Sequence, residues 1–258
     1  MGSPASAAAV TWGRVDEDLQ RFGAALGALD EELDWPLLGR AACEGDGSDF
    51  YDSALRERIL DTGMRFAEDI GRALDERPGR SLYLGAEIAE LPVILAEHLV
   101  LGRRIEWINI ECAQTSELAR AIRAVGARLS LELPLPRAGG IEELEPGSCD
   151  HLWMVSVLTD PDGFPALHDE LYERKEGPLA TGRGSLAEDR QRAEALVEAL
   201  LDRAAPRCVL STSDEERSVL EPLVARRGWK LEFARGGRLS AIVGDRVRIG
   251  RLERRAGP

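Results

Sequence analysis

The chain has 258 residues, a formal net charge of −13, and 31% charged against 5% aromatic residues. That length supports one large α/β core with a helical extension, and the negative balance opposes tight binding to a phosphate backbone, which needs a cationic face. Cys43, Cys112, Cys149 and Cys208 have no metal-like spacing and the histidines are scattered, which gives neither a zinc site nor a disulfide framework and suits a reducing cytoplasm. No apolar run reaches the roughly 18–20 residues of a membrane span, since residues 91–101 are interrupted by Glu97 and His98.

A helical pattern begins at Thr11, with Leu19, Phe22, Leu26, Leu29 and Leu33 at three- and four-residue steps. Trp35-Pro36 is read as its end and residues 37–49 as a loop with Gly45, Gly47 and Ser48. A second helix from Ser53 carries Leu55, Ile59, Leu60, Met64, Phe66, Ile70 and Leu74 on one face, before Pro78-Gly79. Residues 1–79 thus form a helical cap, whose Trp12, Trp35, Phe50 and Tyr51 are candidates to lie over a site.

The next stretch organises the chain. An apolar strand, Ser81-Leu82-Tyr83-Leu84, meets a turn at Gly85 and then a helix apolar on most sides, with Pro92 in its first turn and Gly102 as its stop. A second strand, Ile105 to Ile110, ends on the acid Glu111. Strand, glycine, helix, strand and acid form the nucleotide-cofactor end of a doubly wound sheet. A full G-x-G-x-x-G spacing would need glycines where Glu87 and Glu90 stand.

Thr115 or Ser116 can cap the following helix, with Leu118, Ile122 and Val125 inside and Gly126 closing it. Alternating Leu129, Leu131 and Leu133 predict a third strand, and residues 151–158, introduced by Asp150, a fourth, leaving through Thr159-Asp160-Pro161-Asp162-Gly163. A short helix at 166–172 and a polar loop at 173–184 lead to Ser185, which with Glu188 forms a capping-box pattern. A fifth strand at 207–211 and another helix ending at Gly228 follow. Residues 229–233 and 239–243 flank Gly236-Gly237 as an antiparallel hairpin, which Val247 to Ile249 can extend. The basic residues Arg251, Arg254 and Arg255 read as a solvated tail.

Repeated strand–helix units imply a parallel sheet. With the closing hairpin, the order resembles the class I S-adenosylmethionine-dependent methyltransferases over residues 80–250. The implied fold is α/β: a doubly wound, mostly parallel seven-stranded sheet with a C-terminal antiparallel hairpin and an N-terminal helical cap. The implied domains are a cap at 1–79, a Rossmann-like domain at 80–252 and a tail at 253–258.

The resemblance also implies a site. Gly85 matches the first glycine of the cofactor loop, while Glu87 and Ala89 stand where the family usually has glycines. Tyr83 falls where an acid often precedes that loop. Glu111 matches the acid that receives the ribose hydroxyls. Glu132 falls near an acid that receives the adenine amino group, and Asp150 matches an acid before strand four. Ser156, Thr159 and Asp160 fall where the transferred methyl is presented. Asp160 and His168 are the candidate catalytic acid and base, histidine titrating near neutral pH. An ionised Glu87 pointing inward would repel the cofactor's carboxylate or bond its ammonium group, with opposite consequences.

Two functions follow as expectations. One is methyl transfer from S-adenosylmethionine to a small-molecule or protein acceptor, with nucleic acid and membrane disfavoured as partners. The other is a methyltransferase-like domain without catalysis, serving as a protein-interaction or scaffold module. A nicotinamide dehydrogenase fits less well, because its turn needs the missing glycines and its order lacks the terminal hairpin.

Overall fold

The computed structural model describes residues 5–43, 46–74, 78–174 and 180–254, with side chains from residue 16 onward. Trp12's side chain, residues 175–179 of the polar loop, and Arg255 lie outside that description.

Three helices lead: α1 (Ala5–Glu32), α2 (Trp35–Ala42) and α3 (Ser53–Ala73). Then come β1 (Arg80–Leu84), α4 (Leu91–Leu99), β2 (Arg104–Asn109), α5 (Ala113–Leu129), β3 (Arg137–Ala138) and β4 (Cys149–Met154). The chain continues with α6 (Pro165–Leu171), α7 (Leu186–Arg203), β5 (Ala204–Ser213), α8 (Arg217–Arg226), β6 (Trp229–Phe233), β7 (Arg238–Leu239) and β8 (Arg246–Arg254).

The sheet order is β3-β2-β1-β4-β5-β8-β6, with β7 paired to β8. Strands β1 to β5 are parallel, and β8 runs antiparallel to both β5 and β6. The doubly wound, mostly parallel expectation holds, with an eighth short strand. Helices α1 to α5 share one apolar core with one face of the sheet, and α6 to α8 pack on the other. Helix α4 is buried on nearly every side because α3 covers it. The approach is close at Gly63, where a Cβ would lie 2.7 Å from Pro92 Cβ.

Several expectations change. Trp35-Pro36 starts α2 instead of ending a helix, since proline tolerates the first turn and Asp34 caps it by accepting from Leu37 N–H at 3.0 Å. Cys112 and not Thr115 or Ser116 is the N-cap of α5. That helix runs past Gly126 to Leu129 and ends where Ser130 turns left-handed, at φ 54°. The alternating leucines at 129–133 therefore form no strand; β3 lies further on at Arg137–Ala138. Ser185 stands at the N-cap of α7 but makes no side-chain capping bond. Residues 240–243 are not in a strand, and the partner of β6 is β8, so the closing pair takes in Arg251 and Arg254.

One buried polar network anchors the sheet at the edge where its parallel strands begin. Glu97 of α4 accepts from Ser81 and Tyr83 hydroxyls, meets His151 Nδ1 at 2.9 Å and pairs with Arg103 Nε at 3.1 Å. Arg103 also pairs with Asp150. Burial alone would raise the Glu97 carboxyl; His151 and the hydroxyl donors outweigh it and hold the group below its usual range. Tyr83 and Asp150 are thus tied into this network through Glu97 and Arg103.

Candidate functional site

In an open α/β sheet, ligands bind beyond the carboxyl ends of the strands, where the strand order reverses. Here that point lies between β1 and β4. Gly85 turns the chain there at φ +65°, and its N–H donates to Ile108 O at 2.9 Å. A Cβ on Gly85 would stand 2.8 Å from Val157 Cγ2, so both backbone angle and space call for glycine. Gly85→Ala is expected to cost about 2–3 kcal/mol, read as a lower denaturant midpoint; an unchanged midpoint would refute this account of the turn.

The next peptide is fixed from β2. Ala86 O accepts from Trp107 Nε1 at 2.8 Å and from Asn109 Nδ2 at 2.9 Å. Glu87 N–H donates to Glu90 Oε2 at 2.9 Å, starting a single 3-10 turn that leads into α4. The Glu87 side chain therefore stands at the mouth of the strands. The Gln114 side-chain amide at the start of α5 lies against this carboxylate and donates to it when its nitrogen is turned toward Glu87. Burial first, and then the charge of Asp160, push its carboxyl up to about 7. Burial likewise pushes Glu90 up to about 7. Glu87 has no ion pair among the described residues.

Three aromatics of the leading helices gather beside these acids. Tyr51 is buried, lies 4.9 Å from Phe50 and 5.6 Å from Trp35 between ring centroids, and its hydroxyl is pushed up by burial and by Glu87 and Glu90. The leading helices thus reach the loop after β1.

Asp160 closes the turn after β4. Its carboxylate accepts from Asp162 N–H at 3.1 Å and Gly163 N–H at 3.2 Å, while its charge faces Glu87. Ser156 takes a left-handed φ of 59° and donates to Asp245 Oδ2 at 2.8 Å. Tyr172 OH donates to the same buried carboxylate at 2.7 Å. Glu111 is exposed just past β2, next to the exposed Ile110.

Two expected site residues have other partners in the structure. His168 is buried in α6, with Nδ1 2.6 Å from Thr159 O and Nε2 2.7 Å from Arg174 Nη1. Arginine only donates, so Nε2 accepts and Nδ1–H donates. Both nitrogens are engaged by these partners. Glu132 is not at the end of a strand. Its carbonyl lies 2.8 Å from His98 Nε2, near the end of α4 and the start of β2, on the opposite edge of the sheet.

The structure brings Gly85, Glu87 and Asp160 together, sets Glu111 at the neighbouring strand end, and ties Ser156 to Asp245. The residues missed were Gln114, Glu216, Asp245 and Tyr172. Glu216 is buried; its Oε1 accepts from Val157 N–H at 2.7 Å and Leu158 N–H at 2.9 Å. Its Oε2 accepts from Thr212 Oγ1, Ser213 N–H and Ser213 Oγ, each at 3.1 Å. Nothing in the local sequence marks an acid three residues past a strand as the clamp of a different loop.

No protein-family model matches the sequence, and no curated protein matches it. Among solved structures, it is similar to magnesium protoporphyrin IX methyltransferase (ChlM) from Synechocystis PCC 6803 with bound SAM. The identity is 15%, over 85% of this chain and 90% of that one, with a TM-score of 0.51. The same enzyme with bound SAH gives 14% identity, 85% and 93% coverage, and a TM-score of 0.51. The fold is that of the class I S-adenosylmethionine-dependent methyltransferases. The loop after β1 carries Glu87 and Ala89 behind its turn glycine, Gly85.

Proposed function

We propose that the mouth of β1, β2 and β4 binds S-adenosylmethionine and directs its methyl group to a small-molecule or protein acceptor. The observation that carries this reading is Glu87: a desolvated carboxylate at the switch point, facing a second acid, with no cation paired to it among the described residues. Such a group is costly when ionised unless a positive ligand arrives. A sulfonium ligand with an ammonium group supplies that charge.

The residues fit the rest of the molecule in kind. Glu111 would accept the ribose hydroxyls, Ile110 would offer apolar surface to the base, and Glu87 would hold the ammonium. Bound there, the cofactor supplies an electrophilic methyl; the chain's task is to align an acceptor with it. Tyr51, Phe50 and Trp35 would exclude water from the loop side. Asp160, whose two oxygens each accept one N–H, retains lone pairs and is the proposed recipient of the acceptor's proton. The net charge of −13 favours a neutral or cationic acceptor over nucleic acid.

A second reading, a non-catalytic interaction module, is favoured by two contacts: the Gln114 amide already lies against the Glu87 carboxylate, and both His168 nitrogens are engaged. Calorimetric titration with S-adenosylmethionine and S-adenosylhomocysteine separates the two. Binding with a Kd of about 1–100 μM supports the enzyme. Absence of heat with either ligand at about 1 mM removes it and leaves the module.

A further inference from the structure

A groove of about 460 Å³ lies on the far side of α3, where that helix stops covering the sheet. Its walls come from α3, from the segment between β6 and β7, and from β8. Four arginines line it, Arg72, Arg235, Arg238 and Arg251, over apolar surface that includes Phe66 and Ile249.

The acids beside them do not neutralise this set. Asp69 is shared: its Oδ1 lies 2.8 Å from Arg72 Nη2 and its two oxygens meet Arg238 Nε and Nη2. Asp69 thus orients two guanidinium groups, and Glu68 Oε2 lies 3.9 Å from Arg72 Nη2, so Arg72 and Arg238 are balanced and the excess charge rests on Arg235 and Arg251. Glu232 pairs with Lys230 at 2.6 Å and stands opposite Arg251 in the β6–β8 ladder. Arg235 and Arg251 have no ion pair among the described residues. In a chain of net charge −13, this is a cationic concavity with an apolar floor. Backbone is open there too, since Gly236 carries no Cβ and would find nothing within 4 Å of one.

Planar guanidinium donors match the oxygens of phosphate and carboxylate groups. We propose that this groove is a second binding site, for an organic anion that carries a phosphate, sulfate or carboxylate on an apolar body. Arg235 and Arg251 grip the acidic group, Arg238 is held in position by Asp69, and Phe66 and Ile249 take the apolar part. The site is separate from the strand mouth and does not depend on methyl transfer there.

The test uses 1-naphthyl phosphate as probe, with inorganic phosphate and 1-naphthol as partial probes, followed by calorimetry and by amide shifts of Gly236 and Gly237. Expected is saturable binding of 1-naphthyl phosphate with a Kd of about 0.1–1 mM, weaker binding of each partial probe, and weakening with added salt. Arg235→Glu combined with Arg251→Glu is expected to lower affinity at least tenfold. If that pair disturbs folding, as Glu beside Glu232 can, Arg235→Gln with Arg251→Gln is read instead and is expected to lose affinity too. Absence of saturable binding by the wild type at about 5 mM, equal affinity in the folded double variant, or shifts confined to residues outside the groove would overturn the assignment.

Discussion

Glu87→Gln is expected to make the ligand-free protein more stable at about pH 8 and, at the same pH, to weaken S-adenosylmethionine binding at least tenfold. Both effects come from one carboxyl group raised from 4.5 to about 7 by burial and by Asp160. The unfolded chain releases that proton near 4.5, while the folded chain keeps it up to about 7. Between those values the folded state binds more protons, so stability is greatest below them and falls as pH rises through the window. Allowing for water and relaxation around a half-buried group, the loss is about 1–2 kcal/mol. Glutamine keeps the shape and loses the titration, so wild type and variant converge at about pH 4 and separate above about pH 7. Glu90, also about 7, keeps a shallower slope in the variant. Ligand affinity runs the other way. A cation prefers the ionised carboxyl, so wild-type affinity rises roughly tenfold from about pH 6 to about pH 8. Denaturant curves and calorimetry at the two pH values measure both trends. A variant that is no more stable and binds as well as wild type would place the Glu87 charge outside the ligand space.

Glu216→Ala should be the most damaging substitution at the site's base, at about 3–4 kcal/mol. The carboxylate accepts five hydrogen bonds, and its removal strands the N–H groups of Val157, Leu158 and Ser213. Val157 also fills the space under Gly85, so freeing the β4 exit loosens the Gly85 turn as well. Glu216→Gln is expected to cost about 1–2 kcal/mol. One oxygen still serves Val157 and Leu158, and the Thr212 and Ser213 hydroxyls can turn to accept from the new amide, but the Ser213 N–H then meets a donor. Hydrogen exchange reads the loop directly. The Val157 and Leu158 amides should exchange slowly in the wild type, at an intermediate rate in the glutamine variant and fast in the alanine variant. A cost below about 1 kcal/mol for alanine, with exchange unchanged, would mean that the loop holds itself.

Much of the sheet was legible because long apolar runs flank turn residues. Ser81 to Leu84 and His151 to Met154 are buried strands in a parallel array, where both faces are covered and the pattern is continuous. The short strand β3 has only two residues, too few to show any period. The leucines before it alternate by accident of a helix end and a loop: Leu129 is the last helical residue and Leu131 N–H folds back to Gly126 O at 2.9 Å. That misplacement carried Glu132 to the wrong edge. Strand β8 was read only in part, for a different reason. Its Val247 and Leu252 belong to cores on opposite faces, between arginines, so Val247 to Ile249 read as an extension of the hairpin and Arg251 and Arg254 as a charged tail. At the site, Gly85 and Glu87 were readable from the strand–turn–helix order. Gln114 and Asp245 were not, because each acts on a residue far away in the chain. His168 had the right chemistry for a base, but only the fold shows that Thr159 and Arg174 use both its nitrogens.

The insertion of β8 between β5 and β6 has a meaning for biosynthesis. A ribosome delivers β6 before β8, so β6 has no neighbour to join when it emerges. Until residues 246–254 arrive, β5 carries a bare edge rich in unmet amide groups, and β6 floats beside it. One late segment then bonds both at once, with Ser211 facing Ile249 and Leu231 facing Leu252. Sheet closure is thereby coupled to completion of this stretch. Nascent chains that stop short of it expose two sticky edges and are natural clients for chaperones.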